Sequence, residues 1–320
     1  MKTKRFAVFG CILAAMASLF LGAAGLSPAE LLSGVGTTAG RIFWYVRLPR
    51  TAACLLAGAA LSAAGCVIQN VLANPLASPN IIGVNAGAGL AVTVCCAFGV
   101  LSGWAVAAAA FGGAFLAVLA VSGAARAVGA SRTTVVLAGV AVNATLGALS
   151  DTVTNLVPDA GVLSGDFRVG GFGSVTMARL VPAGVLILAA LAAVLLLHNE
   201  MEILSLGDDA ARSLGLQANR MRTVFLALAA VLCGAAVSFA GLLGFVGLIV
   251  PHAVRRFAGT RCREMLPLCA AWGAAFVTVC DLGARLAFQP KELPVGILLS
   301  ALGGPFFLYI LSKRGRGESC

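Results

Sequence analysis

Residues 47–89 read RLPRTAACLLAGAALSAAGCVIQNVLANPLASPNIIGVNAGAG. From Thr51 to Ile68 no side chain is charged, and Ala, Gly, Leu and Ser make up most of the run. About 20 such residues cross the hydrocarbon core of a bilayer as a helix, and small side chains let helix backbones approach closely in lipid. Gln69, Asn70, Asn74, Pro75, Pro79, Asn80 and Asn85 follow directly. The amides are costly in hydrocarbon unless they face protein or water, and the prolines interrupt the helix. Irregular backbone at that depth survives only where it is shielded from lipid. Two readings stay open for Gln69, Asn70, Asn74, Pro75 and Asn80: a polar cytoplasmic turn, or part of a pathway lining or gate.

The rest of the 320-residue chain shares this character: 60% of residues are hydrophobic and 11% are charged, with a mean hydropathy of +1.00. Soluble domains carry about 25% charged residues, so a soluble enzyme and a disordered scaffold are both excluded and an all-α polytopic membrane protein remains. The net charge of +10 reflects the cytoplasmic bias of Lys and Arg in membrane proteins rather than a nucleic-acid partner. Ten cysteines occur without a C-x-x-C pair, most within apolar runs, where Cys behaves as a small hydrophobe. His198 and His252 are too few and too separated to suggest a metal centre.

Met1 to Gly25, with Lys2, Lys4 and Arg5 ahead of an apolar run ending Ala23-Ala24-Gly25, resembles a signal peptide; in a chain with many later spans an uncleaved first helix is favoured. Further spans fall near 53–71, 80–101, 104–125, 133–151, 177–197, 223–241, 265–285 and 293–311, with a shorter one over 244–254, giving about ten in all. With the N-terminus inside, fifteen of the 22 Lys and Arg residues fall on the inner side, so both termini are expected to be cytoplasmic. Gly58 to Gly65 (GAALSAAG) recurs as Gly234 to Gly241 (GAAVSFAG), an offset of 176 that also pairs Pro75 with Pro251. The copies run in opposite senses, as in the inverted repeats of many transporters; two similar packing faces are the plainer reading. One transmembrane domain is expected, with halves of about 47–155 and 219–311.

Residues 200–222, EMEILSLGDDAARSLGLQANRMR, form the longest polar stretch on the cytoplasmic side. A short helix from Asp208 suits docking into a cleft on another protein. Asp208-Asp209 lacks the second acidic pair that a metal-pyrophosphate site needs. In 241–259, GLLGFVGLIVPHAVRRFAG, Pro251 ends a short Gly-rich helix. Pro251 and His252 join the candidate pathway set, with His252 read first as a structural hydrogen-bonding residue. Asp281 lies one turn from Arg285, a spacing at which opposite charges pair. A buried pair is the plain expectation there, and a proton relay the alternative.

The ordered motifs R-L-P-R, Gln69 with N-P-L-A-x-P, L-G-D-D-A-A-R-S-L-G, G-F-V-G-L-I-V-P-H and E-L-P-V-G-I…G-G-P-F-F closely resemble those of the FecCD-type permease family, from about Leu26 to Leu311. These are the membrane subunits of importers for iron-siderophore, haem and cobalamin. The resemblance implies a ten-helix subunit of the plasma or inner membrane that pairs with a second permease copy around one pathway. It also implies two ATP-binding subunits and an extracytoplasmic solute-binding protein. Leu206, Gly207, Asp208, Asp209, Ala210, Ala211, Arg212, Leu214 and Gly215 match the family's ATPase-coupling segment, within a coupling loop of about 199–222. Arg47, Arg50 and Arg285 match periplasm-facing arginines that meet acidic residues of the binding protein, and the charge-based topology also leaves these three outside. Phe167-Arg168-Val169-Gly170-Gly171 departs from the family's Trp before a Gly-Ser pair, which puts that outer loop in doubt.

The chain has no G-x-x-x-x-G-K-[ST] loop, the phosphate cradle of ATPases. No cofactor is expected on it, and ATP and Mg would be used by the partner ATPase. The expected cargo is a ferric siderophore, with haem or cobalamin as alternatives. A stand-alone ion-coupled carrier would explain the repeat and Asp281, but not the cytoplasmic loop or the shortage of mid-membrane ionisable groups. An intramembrane enzyme would need a nucleophile–base or paired-carboxylate constellation, which the sequence lacks.

Overall fold

Hydroxyl side chains open several of the helices that the apolar runs fill: Thr37 accepts from the Gly40 N–H at 3.1 Å and Ser131 from the Thr134 N–H at 3.1 Å. Such caps satisfy amides that a helix start leaves without partners. A computed structural model describes residues 2–21, 36–129, 131–259, 261–287, 289 and 291–315. The Ala23-Ala24-Gly25 end of the first run, Leu26 at the start of the family resemblance, and Arg316 lie outside the described residues.

In chain order the helices are α1 (Lys2–Phe20), α2 (Thr38–Val71), α3 (Val84–Ala97), α4 (Gly103–Ala127), α5 (Arg132–Leu156), α6 (Pro158–Leu163), α7 (Gly165–Val169), α8 (Met177–Leu196), α9 (His198–Ser205), α10 (Asp208–Ser213), α11 (Ala218–Ala240), α12 (Val246–Ala258), α13 (Cys262–Leu286) and α14 (Val295–Gly315). Each expected span finds a helix, but among the described residues six are long and apolar enough to cross a bilayer: α2, α4, α5, α8, α11 and α13. The span expected over 80–101 starts only at Val84, because the link before it is irregular. Pro182, Pro251, Pro267 and Pro305 lie inside helices, which neighbouring helices make tolerable in lipid. Near its start α2 widens through one π-helical turn, Phe43–Arg47.

α2 forms the centre of the molecule, packing most extensively on α13 and α11 and also on α12. Glycine makes this possible. A Cβ at Gly58 would overlap the Gly273 backbone, one at Gly65 the Gly247 backbone, and Gly87 meets Gly113 in the same way between α3 and α4. In lipid such contact replaces the hydrophobic drive that water supplies elsewhere.

The contacts fall into two matching sets: α2 on α13 answers α11 on α4, α3 on α4 answers α12 on α13, and α3 on α5 answers α12 on α14. At the 176-residue offset Gly58 to Ala64 and Gly234 to Ala240 are both helical, but Gly65 lies within α2 whereas Gly241 follows the end of α11. Pro75 sits in the irregular link after α2, whereas Pro251 lies within α12, so these two prolines are not equivalent positions.

Replacing Gly65 with Leu drives a side chain into the Gly247 backbone, at a cost of about 1–3 kcal/mol or more. Its melting temperature in detergent falls well below that of the native chain, whereas Gly112→Leu, into open space, leaves it within a few degrees. Equal melting of all three would show that α2 does not rest on Gly247.

Candidate docking, gate and coupling sites

At the end of α2 that the charge bias of the sequence assigns to the outside, Arg50 reaches Asp281 on α13 through Nε and Nη2, each at 3.0 Å, while its Nη1 meets Glu292 at 2.6 Å. Asp281 also holds Arg285 Nε at 3.1 Å. Arg285 Nη2 donates to Ser18 Oγ at 2.8 Å, and Arg47 Nη1 donates to the carbonyls of Leu19 and Phe20 at 2.8 and 2.9 Å. Arg47 therefore sits on the carbonyl-rich, partially negative C-terminal end of α1.

Arg47, Arg50 and Arg285, the three arginines expected from the family resemblance to meet a binding protein, are thus engaged by groups of the chain itself. They are only 4%, 7% and 4% exposed, and Asp281 is fully buried. The physical reason is Asp281: a carboxylate without access to water requires cations beside it, and Arg50 and Arg285 are drawn inward to it. The plain reading of Asp281 with Arg285 stands, extended by Arg50 and Glu292. Arg50 is 231 residues from Asp281, a pairing that no local spacing discloses.

At the end of α2 opposite Arg50, the link that follows the helix accounts for its amides. Asn70 Nδ2 bonds the Cys66 carbonyl at 2.8 Å, and Asn74 Oδ1 accepts from the Leu76 N–H at 3.0 Å, so both shape the turn. Gln69 bridges to α12, donating to the Gly247 carbonyl at 3.2 Å and accepting from Arg255 Nη2 at 3.2 Å. The Asn80 side chain is exposed, and its carbonyl accepts from Asn143 Nδ2 at 2.7 Å. Pro75 is half-buried and Pro251 buried. His252 meets Phe306 edge-on, with ring centres 5.8 Å apart. Asn143 and Arg255, which satisfy this irregular backbone and Gln69, had no sequence signal beyond being polar.

The outer loop left in doubt by its departure from the family pattern is well anchored. Gly171 N–H donates to the Ala240 carbonyl at 2.8 Å, Leu242 N–H to the Phe167 carbonyl at 2.9 Å, and Gly296 N–H to the Gly170 carbonyl at 3.1 Å. It therefore joins the end of α11 to the start of α14, and Arg168 Nη2 ties it to Ser150 on α5 at 2.8 Å.

At the opposite end, which the charge bias assigns to the cytoplasm, α10 is bracketed by Gly207 and Gly215 at φ of 120° and 80°, values that favour glycine. Asp208 opens α10 and binds Arg222 Nη2 through both oxygens, at 2.6 and 2.7 Å. Arg132 Nε lies 3.4 Å from Asp208, and Arg132 Nη2 donates to the Leu204 carbonyl at 2.6 Å. One carboxylate thus ties α10 to α11 through Arg222 and to α5 through Arg132, two partners that the sequence reading did not single out. Ala211 faces inward and Ala210 is half-buried, while Leu206, Asp209, Arg212 and Leu214 are exposed. The Asp209–Arg212 contact, at 3.9 Å and exposed, adds little.

A polytopic helical subunit with a short, partly exposed helix clamped to its core suits a transport permease. The FecCD transport family matches residues 10–313, and the chain belongs to that family. It is 36% identical over 312 residues to the vitamin B12 import system permease protein BtuC of Shigella sonnei (strain Ss046), covering 95% of this chain and 93% of that one. The BtuC protein of Escherichia coli (strain K12 / DH10B) gives the same identity and coverage. Among solved structures, an inward-facing ABC transporter described as of metal-chelate type has 25% identity and a TM-score of 0.87, covering 98% of this chain and 99% of that chain. PsaBC from Streptococcus pneumoniae in complex with Fab shares the fold, with 16% identity, a TM-score of 0.60, and 88% and 95% coverage. The chain is a permease of an ATP-binding-cassette importer, a multi-pass membrane transport component rather than an enzyme.

Asp281→Ala leaves Arg50 and Arg285 without their shared carboxylate, a change that costs about 3–5 kcal/mol when a buried pair loses one partner. Glu292→Gln, with the Glu292 side chain 46% exposed, costs below about 1 kcal/mol. Thermal unfolding in detergent ranks the two, and the reverse order would contradict the network.

Burial pushes the Asp208 carboxyl upward, but hydrogen bonds and charge from Arg222, with Arg132 and Arg212 adding, hold it below its ordinary value. Its contribution is therefore full above the unfolded carboxylate pKa of about 3.9 and is lost only as pH falls through the lower folded value. Once corrected for intrinsic exchange, amide protection over residues 208–215 stays constant from pH 8 to pH 5.

Proposed function

We propose that the chain crosses the membrane ten times with both termini cytoplasmic and pairs with a second copy to enclose one pathway. The cargo is a ferric siderophore, delivered by a solute-binding protein. The matching contacts of α2 to α5 and α11 to α14 support two repeated halves around that pathway. ATP binding closes two partner ATPase subunits, which push on the exposed Leu206, Asp209, Arg212 and Leu214. The clamp of Asp208 on Arg222 and Arg132 carries the push to α11 and α5, and it is the observation that carries this reading. Gln69, with Arg255 and the Gly247 carbonyl, forms part of the inner gate.

A second cargo, cobalamin, is favoured by the 36% identity to permeases named for vitamin B12 import. Purification of the tagged chain from native membranes, with its co-purifying ATPase and binding protein, decides between them. Titration of that binding protein with ferric siderophores, haem and cobalamin identifies the cargo. A chain that comes out alone and transports on an ion gradient overturns the importer reading.

With the complex reconstituted in liposomes, Asp208→Asn lowers ATP-driven uptake by about tenfold, the scale of a coupling energy between two sites. The complex still assembles and retains its basal ATP hydrolysis. Undiminished uptake shows that force does not pass through Asp208.

A further inference from the structure

Where α4, α5 and α11 meet, at the end that the charge bias assigns to the cytoplasm, lies a cavity of about 10 Å³. That is room for one small species. Ser122, Arg126, Asn219, Arg222 and Thr223 supply its polar lining. A hydroxyl inside a helix commonly returns its proton to the carbonyl four residues back, as Thr93, Thr145 and Thr152 do at 2.8, 3.0 and 2.8 Å. Ser122 does not. It is 6% exposed, and its Oγ has no hydrogen-bond partner among the described residues. A buried hydroxyl left in that condition is costly, and the cavity is where its partner can sit.

The remaining lining is rich in donors. Arg222, 2% exposed, directs Nη2 to Asp208 and Nη1 to Asn219 Oδ1 at 3.2 Å. Asn219 thereby commits its carbonyl oxygen and keeps its amide N–H groups for donation. Thr223 is the exception, since its proton goes to the Asn219 backbone carbonyl at 3.1 Å. No carboxylate lines the cavity. Beside it, the single carboxylate of Asp208 serves both Arg222 and Arg132. Guanidinium groups withdrawn from water need negative charge close by, and two of them share one here.

We propose that this cavity binds one chloride ion. Ser122 Oγ and Asn219 Nδ2 donate to it, and the guanidinium groups of Arg222 and Arg126 supply the opposing charge. Arg126 is exposed and forms the rim through which the ion enters. A water molecule suits the volume but leaves the charge of the cluster as it is. The site stands independently of the cargo and of the route by which ATPase motion reaches the helices.

The test is thermal unfolding of the full chain in detergent, in sodium chloride and in sodium gluconate at equal ionic strength, gluconate being too large for the cavity. Chloride raises the melting temperature by a few degrees over gluconate, as a species that binds only the folded chain must. Ser122→Ala melts in gluconate close to the native chain and loses most of the chloride increment. Arg126→Gln, at the exposed rim, needs several-fold more chloride to reach the same increment. Crystals grown in bromide show an anomalous peak beside Ser122. Equal melting of the native chain in the two salts overturns the proposal and gives the cavity to water. So does an increment that survives intact in Ser122→Ala, because the ion then binds elsewhere, or a bromide-grown crystal without a peak in the cavity.

Discussion

Where Gly58 meets Gly273 and Gly65 meets Gly247, α2 lies backbone to backbone against α13 and α12, with no side chain between them. Helices in hydrocarbon gain nothing by excluding water from one another, so close packing and hydrogen bonds must hold them together. Both ends of the molecule depend on this approach. With α13 drawn in at Gly58, Arg50 and Asp281 are within reach of each other at the outer end of the same pair of helices. With α12 drawn in at Gly65, Gln69 meets the Gly247 carbonyl at the inner end. A larger side chain at either glycine separates the polar partners as well as the backbones.

Charge is therefore placed where small-residue packing stops. Asp281 and Arg50 close the outer end of the core, and Asp208 with Arg222 closes the inner end. Between them the centre of α2 is occupied by Ala, Gly, Leu and Cys with a single Ser, Ser62. Buried ion pairs add little net stability compared with apolar packing, but breaking one is costly. The two clusters thus act less as glue than as fixed registers, since α2 can slide past α13 only by removing Arg50 from Asp281.

Sequence alone disclosed most of the helices, because uninterrupted apolar runs and their polar breaks are local properties. Pro75, Pro79 and the surrounding amides marked the irregular link after α2, and Gly207 and Gly215 bracketed the coupling segment. Direction was harder to read. The charge bias placed Arg47, Arg50 and Arg285 at the outer end, but whether they face water or protein depends on Asp281 and Glu292, which are brought to Arg50 by the fold. The i, i+4 spacing of Asp281 and Arg285 was visible, whereas the 231-residue separation of Arg50 and Asp281 was not. Arg222 and Arg132 read as ordinary cytoplasmic cations until Asp208 was seen between them. The alignment of Pro75 with Pro251 failed because chains rich in Ala and Gly match themselves at many offsets.

The π-helical turn at Phe43–Arg47 acts as a phase shifter for the outer end of α2. It adds one residue to a continuous helix, which alters the angular relation between everything before it and everything after it. Each residue of an α-helix turns the chain by about 100°, so a helix shortened by one residue here would lose its angular match between Phe43 and Arg50. Arg50 is held by Asp281 below the turn, and the segment above it would swing around the axis. The carbonyls of Leu19 and Phe20 that Arg47 now binds would then face a different side of α2. The docking of α1 on the core is thus encoded partly by the length of this turn, and a one-residue deletion there is a rotation rather than a shortening.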